Sequence, residues 1–300
     1  LYPIFGLALL FMAAGLLFVL LFGDNPIPDG FADGLYNRRA DADKVPIFPM
    51  MFVSIACGAI SGFHATQSPM MARCLKNERL ARPIFYGAMV AEGIVALIWA
   101  AAAITFVGGY GQLADYMAEH GGKPAALVND ISIAWLGSVG GILALLGVVA
   151  APITTGDTAL RSARLIAADF LRLDQKPILK RLLVSLPIFV VCFCLMLIDF
   201  NVLWRYFAWV NQTLAVFTLW AITVYLARHN KLYIISLLPA LFMTMVSVSY
   251  IMYAPSPEGF GLGLMPAISS AALVACVTLG LFIRYLKLLR GGRLIHEVGY

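Results

Sequence analysis

Residues 46–74, PIFPMMFVSIACGAISGFHATQSPMMARC, begin as an apolar run and end as a polar one. Up to Ile60 the side chains are those of a lipid-exposed helix, but Ser61, Gly62, His64, Thr66, Gln67, Ser68 and Pro69 then crowd into nine positions. Gly58 and Gly62 have the G-x-x-x-G spacing that lets a second helix backbone approach closely. Pro69 removes one backbone donor and loosens the helical ladder. In hydrocarbon, such groups are tolerated where they line a cavity or meet partners. Two readings follow: a polar helix end running into the basic loop beyond it, or a discontinuous helix whose freed N–H and C=O groups bind a substrate or ion near the membrane midplane.

The rest of the chain places this stretch in a bilayer. Of 300 residues, 61% are hydrophobic and 12% charged, where soluble domains carry about a quarter charged residues. Mean hydropathy is +0.87. A spanning helix needs about 20 mainly apolar residues. The expected class is an all-α polytopic integral membrane protein with about eight transmembrane helices, near 3–22, 46–70, 84–107, 131–152, 180–198, 203–227, 232–253 and 264–286, discontinuous near 58–69 and 152–157. A single transmembrane domain spans 1–300, ending in a short cytoplasmic tail at 291–300. Continuous apolar runs argue against a β-barrel, and the apolar content excludes disorder.

The net charge of +5 and pI near 9.0 reflect orientation, with no nucleic-acid partner. With the first end in the cytoplasm, sixteen Lys and Arg residues fall inside, in clusters such as Arg73–Arg82, Arg161–Arg181 and Arg284–Arg293. Only Arg38, Arg39, Lys44, Lys123 and Arg205 fall outside. This asymmetry puts both ends in the cytoplasm and supports an even number of spans. The chain opens at Leu1 directly into a span, so an upstream portion is expected; a signal peptide is the competing reading of 3–22, but no A-x-A-like site precedes Asp24. Cys57, Cys74, Cys192, Cys194 and Cys276 lack the spacing of a zinc or redox site and read as packing residues, so no metal, disulfide or cofactor is expected.

Three further polar positions stand out. Glu92 lies inside the third span, where a carboxylate is costly unless protonated, paired or facing a cavity. It is either a proton carrier with a desolvated carboxyl or a structural hydrogen-bonding group. His64 is similarly a proton exchanger or a hydrogen-bonded structural residue. In the segment Ala151–Arg164, Pro152 and Gly156 interrupt the fourth span while Thr154, Thr155, Asp157 and Thr158 offer oxygens. Asp157 can cap the following helix and, four residues before Arg161, pair with it; alternatively the Thr and Asp oxygens bind substrate at a helix N-terminus. Arg161, Arg164 and Arg172 share one side of that helix, as lipid headgroup contacts would. Asn211 and Gln212 stand side by side in the sixth span, so at least one faces protein or water.

Three segments taken in order, Ala56–Ala65 (ACGAISGFHA), Thr154–Arg161 (TTGDTALR) and Trp209–Ala215 (WVNQTLA), resemble the carbon starvation protein family of bacterial inner-membrane transporters. The resemblance runs over nearly all of residues 45–227. It implies an inverted-repeat transporter fold and a uniporter or proton-coupled symporter for small carboxylate nutrients, peptides or pyruvate, taken up during carbon starvation. Members of that family are longer, with more spans upstream of the Cys57 segment. On this reading Gly58, Ser61, Gly62, His64, Thr66, Gln67, Thr154, Thr155, Asp157, Asn211 and Gln212 contact the substrate, and Glu92 or His64 carries the proton.

Two other functions compete. An intramembrane enzyme would need an acid/base pair such as Asp157 with His64, yet no H-E-x-x-H, G-x-S-x-G or paired intramembrane aspartates occur. A non-transporting nutrient sensor would need a signalling domain, which the short loops do not form.

Overall fold

The computed structural model describes residues 2–24, 27–28, 36–37, 44–55, 62–149, 151–198, 200–256 and 258–291. Among them every regular element is helical. Seven helical runs are long and apolar enough to cross a membrane. In chain order the main helices are α1 (Tyr2–Phe22), α2 (Phe63–Arg73), α3 (Ala88–Val107), α4 (Tyr110–Glu119), α5 (Pro124–Ala144), α6 (Ala151–Phe170), α7 (Ile178–Leu195), α8 (Phe200–Arg228), α9 (Ile234–Tyr253) and α10 (Leu264–Arg290). The all-α polytopic class read from composition is the class observed.

The expected span at 46–70 is not one long helix. Residues 47–54 form a π-helical turn, Ile47–Met51, with Phe48 in an extended conformation inside it, followed by the short turn Phe52–Ser54. Residues 56–61 lie outside the described residues; α2 then runs unbroken through Pro69, so the expected discontinuity near 58–69 does not extend over 63–69. Pro46 and Pro49, which have no backbone N–H to donate, account for the irregular ladder over 47–54.

The expected break at 152–157 does not occur. Pro152, Thr154, Thr155, Gly156 and Asp157 all lie within the continuous helix α6. Pro152 sits at its second position, where the missing N–H would have no intrahelical partner in any case. The departures come earlier, at Gly137 inside α5 and in the π-helical stretch Leu145–Val149. Gly137 has φ 62° and ψ −151°, a backbone region that side chains other than glycine's do not reach without strain. The helix of the fourth span also starts sooner than expected, at Pro124, so that Asp130 lies within it.

Internal contacts gather into two compact units, residues 1–45 with 72–191, and residues 46–71 with 192–300. In the first, α1 packs against α3 and α5. Met12, Leu16, Ile131 and Ala102 are fully enclosed at its centre, ringed by Ala13, Leu20, Ile98 and Leu127. Of the polar groups buried in this unit, the Ser132 hydroxyl donates to the Val128 carbonyl at 2.6 Å and is satisfied within its own helix, whereas the buried Thr105 hydroxyl on α3 has no partner among the described residues.

In the second unit α9 is the central element, packed against α8 and α10. Toward α10 the contact is a stripe of small residues: Ala267, Ala271 and Ala275 recur every fourth position and are buried, which lets the backbones close up. Toward α8 it is a ladder of polar bonds. The Thr223 hydroxyl donates to the Ser236 hydroxyl (2.9 Å), the Trp220 indole to Thr244 (3.1 Å) and the Trp209 indole to the Ser247 carbonyl (3.0 Å), while Thr213 and Ser247 share a 2.7 Å hydroxyl pair. Each such bond between membrane helices contributes roughly 0.6 to 2 kcal/mol. After α9 the chain doubles back, with the amides of Phe260, Gly261 and Leu262 bonding the carbonyls of Ile251, Ala254 and Met252.

Candidate functional site

The second unit assembles a polar junction where helical structure restarts. Gly62 is buried, and its carbonyl accepts the first bond of α2, from the Ala65 amide at 3.0 Å. It lies directly against α8. A Cβ at this position would collide with the Asn211 carbonyl and would meet the Leu214 Cβ at 2.6 Å and the Ala215 amide nitrogen at 3.0 Å. Only glycine fits so close an approach of two backbones.

One turn along, Asn211 and Gln212 are both buried, and Gln212 is fully enclosed. Its amide nitrogen donates to the Phe52 carbonyl at 3.0 Å, so the broken segment before the junction is tied to α8. That bond also fixes which way the amide faces, because a carbonyl accepts and only the NH2 end can donate to it. The opposite end, Gln212 Oε1, is buried and has no hydrogen-bond partner among the described residues. An enclosed acceptor of this kind costs about 1 to 3 kcal/mol until it meets a donor or a cation. Next to it, the Thr213 hydroxyl donates to the Trp209 carbonyl at 3.0 Å besides pairing with Ser247.

Thr66 and Gln67 are half-buried on α2, on the same element as Gly62's outgoing bond. His64 lies in the first turn of α2. Gly58 and Ser61 lie outside the described residues, as does most of the tail at 291–300. The structure therefore brings Gly62, Asn211 and Gln212 together with Phe52, and sets Thr66 and Gln67 on the helix that leaves the junction.

The remaining predicted residues belong to the first unit. Thr155 lines a cavity of about 660 Å³, with Pro152 and Gly156 beside it and Leu9, Val95 and Trp99 across it. The walls are mostly apolar, the Thr155 hydroxyl and the Trp99 indole N–H being the polar side-chain groups of the lining. Glu92 is exposed and forms no ion pair among the described residues. It sits three and seven positions before Val95 and Trp99, hence on the helix face that carries the cavity lining. The Thr154 carbonyl accepts from the Thr158 hydroxyl at 3.0 Å. Asp157 forms the expected ion pair with Arg161 at 2.8 Å, both side chains about half exposed.

Several polar contacts had no counterpart in the sequence reading. Tyr116 on α4 donates its hydroxyl to Asp130 on α5 and stacks on His120, ring centroids 4.1 Å apart. The hydrogen bond to the Asp130 carboxylate, helped by partial burial and by the negative charge itself, pushes the Tyr116 phenol up from 10.0 to about 12. Arg205 pairs with Glu258. The hydroxyls of α9 were the available signal for its ladder: Ser236, Thr244, Ser247 and Ser249 recur within one apolar span. The four cysteines among the described residues are unpaired, and Cys74, Cys194 and Cys276 are exposed instead of packed. No group of described residues has the composition of a metal site.

Comparison with known proteins matches this picture. The family described as carbon starvation protein CstA matches residues 35–137. An uncharacterized protein of Haemophilus influenzae is 48% identical over 122 residues, which are 41% of this chain and 88% of that protein. The pyruvate/proton symporter of Escherichia coli is 50% identical over 56 residues, 18% of this chain and 8% of the symporter. The peptide transporter CstA of Campylobacter jejuni is 47% identical over 53 residues, 17% of this chain and 8% of the transporter. The chain thus spans most of one relative's length and less than a tenth of the named transporters it matches. No solved structure matches it. A polytopic bacterial membrane protein in which about a third of the chain, residues 35–137, matches this profile, which covers 88% of a relative at 48% identity and whose other relatives include a peptide transporter and a pyruvate/proton symporter, belongs to the carbon starvation protein CstA family.

Proposed function

We propose that this chain works as part of a bacterial inner-membrane secondary transporter, taking up small carboxylate nutrients, peptides or pyruvate, together with protons under carbon starvation, with both of its ends in the cytoplasm. The observation that carries the reading is Gln212: a fully buried amide, held by the Phe52 carbonyl, with its oxygen unpaired among the described residues, at the point where α2 begins. Unsatisfied polar groups beside an interrupted helix are what a membrane protein retains when a passing ligand is to satisfy them.

In the second unit Gly58, Ser61, Gly62, His64, Thr66, Gln67, Asn211 and Gln212 carry substrate contacts. In the first, Thr154, Thr155 and Asp157 do so, with the Asp157 carboxylate shared with Arg161. Glu92 or His64 exchanges the proton, Glu92 standing one turn before Val95 and two before Trp99, which line the cavity. The names of the relatives support transport over catalysis, and no enzymatic step is assigned.

Uptake of labelled pyruvate and of a labelled dipeptide into proteoliposomes under an imposed pH gradient tests the proposal. Accumulation of either that collapses on adding a protonophore is the expected result. Accumulation that survives the protonophore overturns the proton coupling and leaves transport standing; no accumulation of either solute overturns the transport reading. Glu92→Gln is expected to flatten the pH dependence of uptake, and an unchanged profile removes Glu92 as the carrier and leaves His64.

A further inference from the structure

The first unit contains a second cavity, a groove of about 300 Å³ between α6 and α7. Its α6 wall is Asp157, Leu160, Arg161 and Arg164, which recur at the i, i+3, i+4, i+7 positions of one helix face; its α7 wall is Ser185, Ile188 and Phe189. We infer that this groove binds the phosphodiester headgroup of an anionic phospholipid.

Charge is the first argument. Arg161 gives one guanidinium nitrogen to Asp157 at 2.8 Å, whereas Arg164, half-buried one turn further on, forms no ion pair among the described residues. Two guanidiniums against one carboxylate leave a single net positive charge, the complement of a phosphodiester monoanion. Guanidinium forks match phosphate oxygens in geometry, and the Ser185 hydroxyl facing them supplies a further donor.

The second argument is that the groove is amphipathic. Leu160, Ile188 and Phe189 line it beside the charged groups, which suits a ligand with an apolar body more than a small hydrated anion. From there the outer surface of α7 continues as hydrocarbon: Leu182, Leu186, Phe189 and Val190 are each more than half exposed on a helix apolar enough to span a bilayer. An acyl chain leaving the groove would lie along them.

Depth is the third. Lys180 and Arg181 mark the headgroup level in the first turn of α7, and Ser185 is seven residues into the helix, about 10 Å along its axis. That is the boundary between headgroups and acyl chains. The volume equals about ten water molecules, enough for a phosphate and its glycerol.

Native mass spectrometry of the full chain, delipidated and then offered equal amounts of phosphatidylglycerol and phosphatidylcholine, tests the site. Preferential retention of phosphatidylglycerol is expected, falling about fivefold in Arg164→Gln. Ser185→Val should also reduce it, and Arg284→Gln, a basic position on α10, should leave it unchanged. Asp157→Asn, which frees Arg161, should raise retention, a gain that misfolding cannot mimic. Equal retention of the two lipids, an equal loss in Arg284→Gln, or no gain in Asp157→Asn overturns the inference. Displacement of the lipid by millimolar glycerophosphate, which has the headgroup chemistry without acyl chains, overturns it in favour of a soluble-anion site.

Discussion

Arg205, near the start of α8, and Glu258, in the turn between α9 and α10, form an ion pair of 2.6 Å in which only the carboxylate is enclosed: Glu258 is 6% exposed and Arg205 50%. The partners are therefore not equivalent. Removing the arginine strands a buried negative charge, whereas removing the charge from the glutamate leaves a guanidinium that water can solvate. Arg205→Met is expected to cost about 2 kcal/mol, below the range for a wholly buried pair because the arginine side is open to solvent. Glu258→Gln should cost less, and the double variant should recover most of the loss. Chemical denaturation of the four proteins in detergent, arranged as a cycle, measures this. A double variant as unstable as Arg205→Met alone would show that the pair is not the cause.

Gly62 should tolerate nothing larger. Gly62→Ala places a methyl group against the Asn211 carbonyl, a backbone atom that cannot rotate away. Overpacking of this kind costs about 1 to 3 kcal/mol. Thermal unfolding should show that loss, and uptake should fall with it. A control at Gly93, where an added Cβ meets nothing within 4 Å, should leave both unchanged.

Gln212→Met separates stability from function. The variant loses the 3.0 Å bond to Phe52 and at the same time removes an acceptor that is buried without a partner. The two effects oppose each other, so stability should change by less than about 1 kcal/mol. Transport should be lost, because the group left for a ligand is gone. Measured uptake equal to wild type in a well-folded Gln212→Met protein would exclude the residue from the substrate path.

Much of this molecule is legible in its sequence, and the failures have physical causes. Apolar runs of about twenty residues locate α1, α3, α7, α8, α9 and α10 because hydrocarbon imposes their length. The pair Asn211–Gln212 is found for the same reason, as buried amides are conspicuous in a lipid-facing pattern. The supposed break at 152–157 fails because a proline at the second helical position interrupts nothing. The real departure, at Gly137, is hidden because glycines are ordinary in membrane helices and their dihedral angles are not written in their spacing. Asp130 escaped because the apolar pattern alone did not show that α5 begins at Pro124. The Glu258 pair is invisible for a different reason: its partners are 53 positions apart, and neither stands in a recognisable motif.

Tyr116 supplies a pH prediction. Its phenol rises from 10.0 to about 12, chiefly through the hydrogen bond it donates to Asp130. The folded state thus favours the protonated phenol. Its stabilising contribution is complete below pH 10 and is lost as pH climbs through about 12. Ultraviolet titration of phenolate should show one tyrosine in Asp130→Asn moving back toward the ordinary range relative to wild type. Superimposable titration curves would sever the link between the two residues.

The bonds between α8 and α9 bear on how the protein enters the membrane. Thr223, Trp220, Thr213 and Trp209 on one helix, with Ser236, Thr244 and Ser247 on the other, meet each other's polar groups only when both helices are present. A five-residue connection, 229–233, joins them. Released alone, α8 would present the Trp209 and Trp220 indole N–H groups to acyl chains, since their acceptors lie on α9, whereas the hydroxyls of Thr213, Thr223, Ser236 and Thr244 also bond carbonyls beside them in the chain. Release of the two as a preassembled hairpin avoids that exposure, so the ladder sets the smallest unit in which this part of the chain can be handed to the bilayer.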